Sequence, residues 1–179
     1  EVLLKKKGDR KLILCLDYHS EEFDFSRLQP DINWDSNLIF YEDILRLSQE
    51  FKNKYFVLRS KNLNWTKTKF FKKIYHEIID TENIEVSKCF ENADTTYRIG
   101  AQSDLVIAKY TSFVEEAIAS QIPVIIHDIF SNKIKHSSIF NYGTPEIFVH
   151  SFDDLRGKVI EMIEKKNCLI SEVNLTYFF

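Results

Sequence analysis

The chain has 179 residues and a net charge of −3; 44% of its residues are hydrophobic and 14% are aromatic. This length suits one domain or two small ones, and the composition supports a buried core, which excludes an intrinsically disordered or fibrous protein. The slightly acidic balance does not favour general binding of nucleic acid, so we expect no nucleic-acid partner.

Cysteine usage and the absence of long apolar runs indicate the cellular compartment. Cys15, Cys89 and Cys168 are odd in number and far apart, which argues against a disulfide framework and against a CxxC metal site. No window approaches the roughly 18 apolar residues of a membrane span, and residues 1–10 are charged, unlike a secretory leader. We therefore expect a cytoplasmic protein that uses no metal or other cofactor.

Apolar runs alternate with amphipathic segments along the chain. Strands buried on both faces read as uninterrupted apolar runs, and this pattern predicts strands at 12–16, 55–58, 84–87, 105–108, 124–127 and 147–149. Helical spacing predicts helices at 41–51, 66–79, 95–102, 113–120 and 152–166. In the second of these helices, Phe70, Phe71, Ile74, Ile78 and Ile79 are expected on the apolar face and Lys67, Lys69, Lys72 and Lys73 on the other.

This alternation predicts an α/β fold: a doubly wound, mainly parallel six-stranded sheet, Rossmann-like, with helices on both faces. Residues 1–10 are interpreted as an extension or linker, 11–166 as the domain and 167–179 as an apolar tail that packs on this domain or on another. Such sheets bind ligands beyond the carboxyl ends of their strands, where the strand order reverses. With the common order 3-2-1-4-5-6, residues 17–20 and 109–112 would line that crevice.

The corner between the fourth strand and the next helix carries two hydroxyls, on Thr111 and Ser112. A hydroxyl at the start of a helix either caps the helix or binds a phosphate oxygen, and both alternatives are open here. Glu115 lies three residues after Ser112, as in a capping box. Glu116 is then available to face the crevice and accept hydrogen bonds from a ribose diol; the alternative is a carboxylate on a solvated helix face.

Residues 110–116, which read Y-T-S-x-x-x-E before a proline and an apolar strand, resemble the nucleotide-binding segment of GT-B glycosyltransferases. The segment is most similar to that of bacterial polyol-phosphate transferases and capsule-type sugar transferases. The resemblance in element order covers about residues 11–166, the donor-binding half of such an enzyme. It implies that Thr111 and Ser112 contact the diphosphate and that Glu116 contacts the ribose. Lys109 departs from the family pattern, which has Asp there.

Further charged side chains are predicted around the same crevice. Arg59 and Lys61 follow the second strand, where the similar enzymes carry a basic run that faces phosphate, and Lys109 follows the fourth; a guanidinium suits bidentate phosphate binding. His19 follows the first strand and is the candidate catalytic residue, as a base or as a phosphate donor. The alternatives are that the basic residues after the second strand lie at the surface without a ligand, and that His19 is a solvated loop histidine. No two histidines have the spacing of a zinc-binding helix, so no metal site is expected.

The resemblance implies that the chain is the donor-binding half of a glycosyltransferase or polyol-phosphate transferase in bacterial surface polysaccharide biosynthesis. Its partners would be a nucleotide-diphosphate sugar, a glycan or lipid-linked acceptor, and an N-terminal acceptor domain or partner subunit, without which the chain is inactive. The alternatives are a non-catalytic nucleotide-sugar or protein-interaction module and half of a nucleotide-sugar epimerase. The lysine-rich face at 67–73 is either a solvated face or a contact with the inner face of an anionic membrane.

Overall fold

A computed structural model describes residues 7–17, 34–60, 63–87, 94–109, 111–129 and 147–164. Within these residues, strands and helices alternate as the apolar pattern predicts. In chain order the elements are β1 (Lys11–Leu16), α1 (Trp34–Glu50), β2 (Lys54–Arg59), a 3-10 helix (Asn64–Lys67), α2 (Lys72–Ile79), β3 (Ile84–Val86), α3 (Asp94–Gly100), β4 (Leu105–Ala108), α4 (Phe113–Ala119), β5 (Val124–His127), β6 (Phe148–Val149) and α5 (Phe152–Glu164).

The six strands form one parallel sheet in the order β3-β2-β1-β4-β5-β6. This order confirms the predicted fold, with β1 and β4 adjacent at the centre. In the register, Leu16 of β1 is paired with Arg59 of β2 and with Ala108 of β4. The carboxyl ends of the three strands are therefore level, and the strand order reverses between β1 and β4, where a ligand crevice is expected.

Helices cover both faces of the sheet because side chains alternate along each strand. Ile13 and Cys15 lie in the apolar cluster that includes α1, α2 and α5, whereas Leu14 and Leu16 lie in the cluster that includes α3 and α4. The doubly wound arrangement is thus confirmed. The proposed linker at 1–10 is described only from residue 7, and the tail at 167–179 lies outside the described residues, so both assignments stay predictions.

The predicted helix at 66–79 is wrong in its length and in part of its apolar face. The 3-10 helix ends at Lys67, the backbone of Thr68 is extended, and α2 begins only at Lys72. With that start, Ile74 and Ile78 lie one turn apart on the buried face. Phe70 and Ile79, both expected to be buried, are instead 39% and 48% exposed.

Helix α1 begins earlier than the predicted 41–51 and runs over Trp34–Glu50. Its early part was missed because Ser36 and Asn37 are polar, although both are buried. Polar groups are buried when they are hydrogen-bonded, and these two meet Lys109 below the corner. In the part of the chain that the structure describes, no helix has the length and apolarity needed to cross a bilayer.

Candidate functional site

The carboxyl edge of the central strands is held by backbone hydrogen bonds that continue beyond the strands. The Lys109 amide donates to the Leu16 carbonyl at 3.0 Å, and the Asp17 amide donates to the Arg59 carbonyl at 3.4 Å. The residues that directly follow β1 and β4 are therefore fixed in position. A ligand that binds where the strand order reverses would thus contact a preformed backbone.

The two predicted cations that the structure describes contact opposite faces of the sheet. Arg59 is 8% exposed and donates to Thr96 of α3 at 2.5 Å and to Ser87 at 3.1 Å. Lys109 is 2% exposed and reaches towards α1, where its ammonium donates to Ser36 and Asn37. Both charges are thus held by protein groups, and Lys109 lies beneath the corner rather than at its surface.

Buried polar side chains follow the ends of four strands, and hydrogen bonds join those after β1 and β2 to helix α1. The Asp17 carboxylate accepts hydrogen bonds from the Tyr41 hydroxyl at 2.5 Å and from the Ser60 hydroxyl at 2.6 Å. Ser60 in turn accepts from the Trp65 indole at 2.9 Å, and the Trp65 ring stacks on Tyr41 with centroids 4.3 Å apart. We call the following buried residues the polar floor: Asp17, Ser36, Asn37, Tyr41, Ser60, Lys109 and Asp128.

Burial sets the protonation of the two basic groups in this region. It lowers the pKa of Lys109 to about 7, against the opposing attraction of Asp17 and Asp128. Burial also lowers the pKa of His127, whose Nε2 is 2.8 Å from a carboxylate oxygen of Asp43; that hydrogen bond opposes the shift and the Lys109 charge adds to it. His127 is therefore a buried neutral imidazole at pH 7, held by Asp43.

The corner between β4 and α4 differs from the predicted capping box. Ser112 has helical backbone angles (φ −60°, ψ −21°) and its hydroxyl makes no capping hydrogen bond. A capping side chain needs an extended backbone to reach the first turn, so the predicted Ser112–Glu115 box is wrong. Instead, the Thr111 hydroxyl accepts a 3.4 Å hydrogen bond from the Phe113 amide. Ser112 is exposed at the surface of the corner.

Glu116 is exposed and pairs with a side chain that the sequence did not indicate. It accepts a 3.1 Å hydrogen bond from the hydroxyl of Tyr97 on α3, which raises the pKa of Tyr97. The Tyr97 ring is 50% exposed and stands edge-on to Phe113, with centroids 5.7 Å apart. No local motif marks Tyr97, because only the fold brings α3 beside α4.

The structure thus brings Thr111, Ser112 and Glu116 together at the start of α4, beside Tyr97. His19, Lys61 and Tyr110 lie outside the described residues, so the roles assigned to His19 and Lys61 stay predictions. Among the residues described, no three His, Cys, Asp or Glu side chains are grouped as a metal site would require.

Comparison with known proteins identifies the fold. No protein-family model and no curated protein sequence matches the chain. Several solved structures are similar to it. One is a Listeria monocytogenes protein described as a UDP-N-acetylglucosamine 2-epimerase, with 14% sequence identity and a TM-score of 0.60; the match covers 94% of this chain and 40% of that one. The S. aureus protein MnaA in complex with UDP (15%, 0.58, 94% and 41%) and the Neisseria meningitidis UDP-GlcNAc 2-epimerase bound to UDP-GlcNAc (16%, 0.60, 91% and 39%) are similar as well.

At these identities the likeness shows the fold alone: the chain has a GT-B-like Rossmann fold of the kind found in these structures. The chain spans about two fifths of the length of each of these structures.

Proposed function

We propose that the chain is the nucleotide-sugar-binding half of a GT-B-type enzyme. The observation that carries this proposal is the position of Thr111, Ser112 and Glu116, which lie together where the strand order reverses between β1 and β4. That edge is where doubly wound sheets bind ligands. Structures of the same fold that hold UDP and UDP-GlcNAc support the same ligand class.

In this proposal the nucleotide lies across the start of α4. The exposed Ser112 hydroxyl, with Thr111 beside it, donates to an oxygen of the diphosphate. Glu116 accepts hydrogen bonds from the ribose hydroxyls in place of the one it now accepts from Tyr97. The half-exposed Tyr97 ring then offers an apolar face to the base, since a tyrosine combines a flat ring with a polar end.

The reaction we favour is transfer of a sugar or polyol phosphate to a surface polysaccharide. As the bond to the donor breaks, negative charge grows on the leaving nucleotide, and fixed hydroxyl donors with the charges of Arg59 and Lys61 would stabilise it. His19 is the proposed base within this chain. The acceptor, glycan or lipid-linked, would be held by an N-terminal domain or a partner subunit at the cytoplasmic face of the membrane, so the isolated chain is expected to be inactive.

Half of a nucleotide-sugar epimerase is the second candidate, because the structural neighbours are epimerases. Both candidates use one nucleotide site, so the reaction products distinguish them. If the full-length protein is a transferase, it should release nucleotide from an activated donor only when an acceptor is added: the nucleoside diphosphate when a sugar is transferred, and the monophosphate when a polyol phosphate is transferred. Appearance of an epimeric sugar without any acceptor would favour the epimerase.

Nucleotide binding is tested by titration calorimetry with UDP, CDP and GDP. Loss of one hydrogen bond to a charged group costs about 1.5–3 kcal/mol, or roughly ten- to a hundredfold in affinity, so Ser112→Ala should weaken binding by that factor. Glu116→Gln should weaken a nucleoside diphosphate more than inorganic pyrophosphate. Glu115→Gln is the matched control, because Glu115 is an exposed carboxylate on the same helix. Binding of no nucleotide at millimolar concentration would favour the protein-interaction module.

A further inference from the structure

Lys109 connects the proposed nucleotide site to helix α1. It stands two residues before Thr111, and its own amide is fixed to the Leu16 carbonyl of β1 at 3.0 Å. Its side chain is buried on the face of the sheet that α1 covers, opposite the face covered by α4, and its ammonium donates to Ser36 and Asn37 in the early part of α1. The backbone and the side chain of this residue are therefore both held in place, immediately before the hydroxyl corner.

The ammonium also compensates buried negative charge. It is attracted by Asp17, directly after β1, and by Asp128, directly after β5, and both carboxylates are buried. A buried carboxylate without a cation nearby is costly, because burial disfavours the charged form. The titratable groups of this region, taken over all the described elements that meet there, are Asp17, Tyr41, Asp43, His127, Asp128 and His150, whose Nδ1 lies 3.7 Å from a carboxylate oxygen of Asp128.

We propose that Lys109 is a positioning residue for the nucleotide site: its buried ammonium joins α1 to the carboxylates of the polar floor and so fixes the Thr111–Ser112 corner for the diphosphate. The inference rests on the proposed function for its ligand, although the contacts that carry it lie within the protein. Lys109 touches no ligand and acts through the backbone that it holds. Without its charge, the negative charge of the two buried carboxylates would be uncompensated in this region, which would oppose an anionic ligand.

The protonation of Lys109 makes this role visible in a pH profile. Its pKa of about 7 leaves the ammonium about 90% protonated at pH 6 and about 1% at pH 9. The affinity for UDP should therefore decline as pH rises over this range. Lys109→Met removes the charge at every pH, and Lys109→Arg keeps it at every pH because guanidinium does not deprotonate in proteins.

The test measures the Kd of UDP for the wild type and these variants from pH 6 to pH 9. We expect Lys109→Met to bind UDP about tenfold more weakly than the wild type at pH 6 and within about twofold at pH 9. The titration of UDP itself cancels in this ratio. Lys109→Arg should lack the wild-type decline with pH. Lys54→Met is the matched control, because Lys54 is a buried lysine at the opposite, amino end of β2, and its ratio should stay near one.

A second readout needs no ligand. In hydrogen exchange of the full chain, Lys109→Met should speed exchange of the amides at 111–114 and at the start of α1, while those at 155–164 stay protected; Lys109→Arg should restore the wild-type rates. A UDP ratio that does not change with pH, or exchange at 111–114 that the Met variant leaves unchanged, overturns the positioning role. If the wild type binds CDP or GDP but not UDP, the same pH series is measured with that nucleotide. Failure to bind any of the three overturns the proposed nucleotide site instead, and the exchange result then decides the role of Lys109 alone.

Discussion

Raising the pH from 7 to 9 should stabilise this protein, because a buried lysine loses its proton earlier in the folded state than in the unfolded state. The pKa of Lys109 is about 7 when folded and 10.5 at its ordinary value. Between these values the unfolded chain binds more protons, so the free energy of unfolding rises with pH by up to about 1.4 kcal/mol per pH unit. At pH 7 the folded lysine is only half deprotonated, so the slope starts at half its maximum and the rise from pH 7 to pH 9 amounts to about 2 kcal/mol, a substantial part of a typical domain's stability.

Two other buried groups shape the ends of this profile. Burial raises the pKa of the Cys15 thiol above its ordinary 9.0, so above pH 9 the thiol ionises in the unfolded chain before it does in the folded one. This lowers the free energy of unfolding as pH rises and cancels the increase that Lys109 contributes. Burial lowers the pKa of His127, so the unfolded imidazole binds a proton more readily below about pH 6.5 and stability falls towards acid. The pKa values of Tyr55 and Tyr97 are raised as well, by burial of Tyr55 and by the hydrogen bond of Tyr97 to Glu116, so stability falls from about pH 10. The described groups with shifted pKa values therefore predict a rise to pH 9, a narrow plateau and a fall above pH 10.

Urea denaturation at each pH from 6 to 10 measures this profile. Lys109→Met should lose the rise between pH 7 and pH 9, whatever its stability at pH 7. Cys15→Ala should extend the rise above pH 9, although the smaller core side chain lowers stability at every pH. A free energy of unfolding that falls between pH 7 and pH 9, or a rise of equal size in Lys109→Met, would refute the assignment to Lys109.

Three further changes have defined outcomes. Gly100→Ala places a methyl group 2.3 Å from the Phe113 ring, so we expect the free energy of unfolding, measured by urea denaturation, to fall by about 1–3 kcal/mol. Unchanged stability would contradict the close packing of Gly100 against Phe113. Ser60→Ala removes a partner of both Asp17 and Trp65 and should cost about 1–3 kcal/mol in the same assay, whereas no loss would show that the polar floor adds nothing to stability. The double variant Lys69→Gln, Lys72→Gln should bind anionic vesicles with about thirtyfold lower affinity in a sedimentation assay, since each exposed lysine near such a surface contributes about 1 kcal/mol. If the wild type does not bind these vesicles, the proposed membrane contact is wrong.

The sheet was predictable because its strands are buried on both faces. Runs such as 12–16 and 105–108 are continuous and apolar, and the alternation with helices leaves few topologies once crossovers must be right-handed. The observed order and the central pair of β1 and β4 therefore follow from local sequence and general rules of chain connection.

The surroundings of the site were less predictable because they depend on contacts between distant residues. Nothing near Lys109 shows that Ser36 and Asn37 will surround its ammonium, 73 and 72 positions away along the chain. Tyr97 reaches Glu116 only because α3 and α4 cover the same face of the sheet. Phe70 looked like a core residue, but the late start of α2 leaves it partly exposed.

The most direct measurement is a crystal structure of this protein with UDP. We expect the diphosphate within hydrogen-bond distance of the Thr111 and Ser112 hydroxyls, and the ribose hydroxyls on Glu116 with the Tyr97 hydroxyl displaced. Lys109 should keep its contacts with Ser36 and Asn37. UDP bound elsewhere on the domain, or at this edge with its ribose away from Glu116, would contradict the central claim.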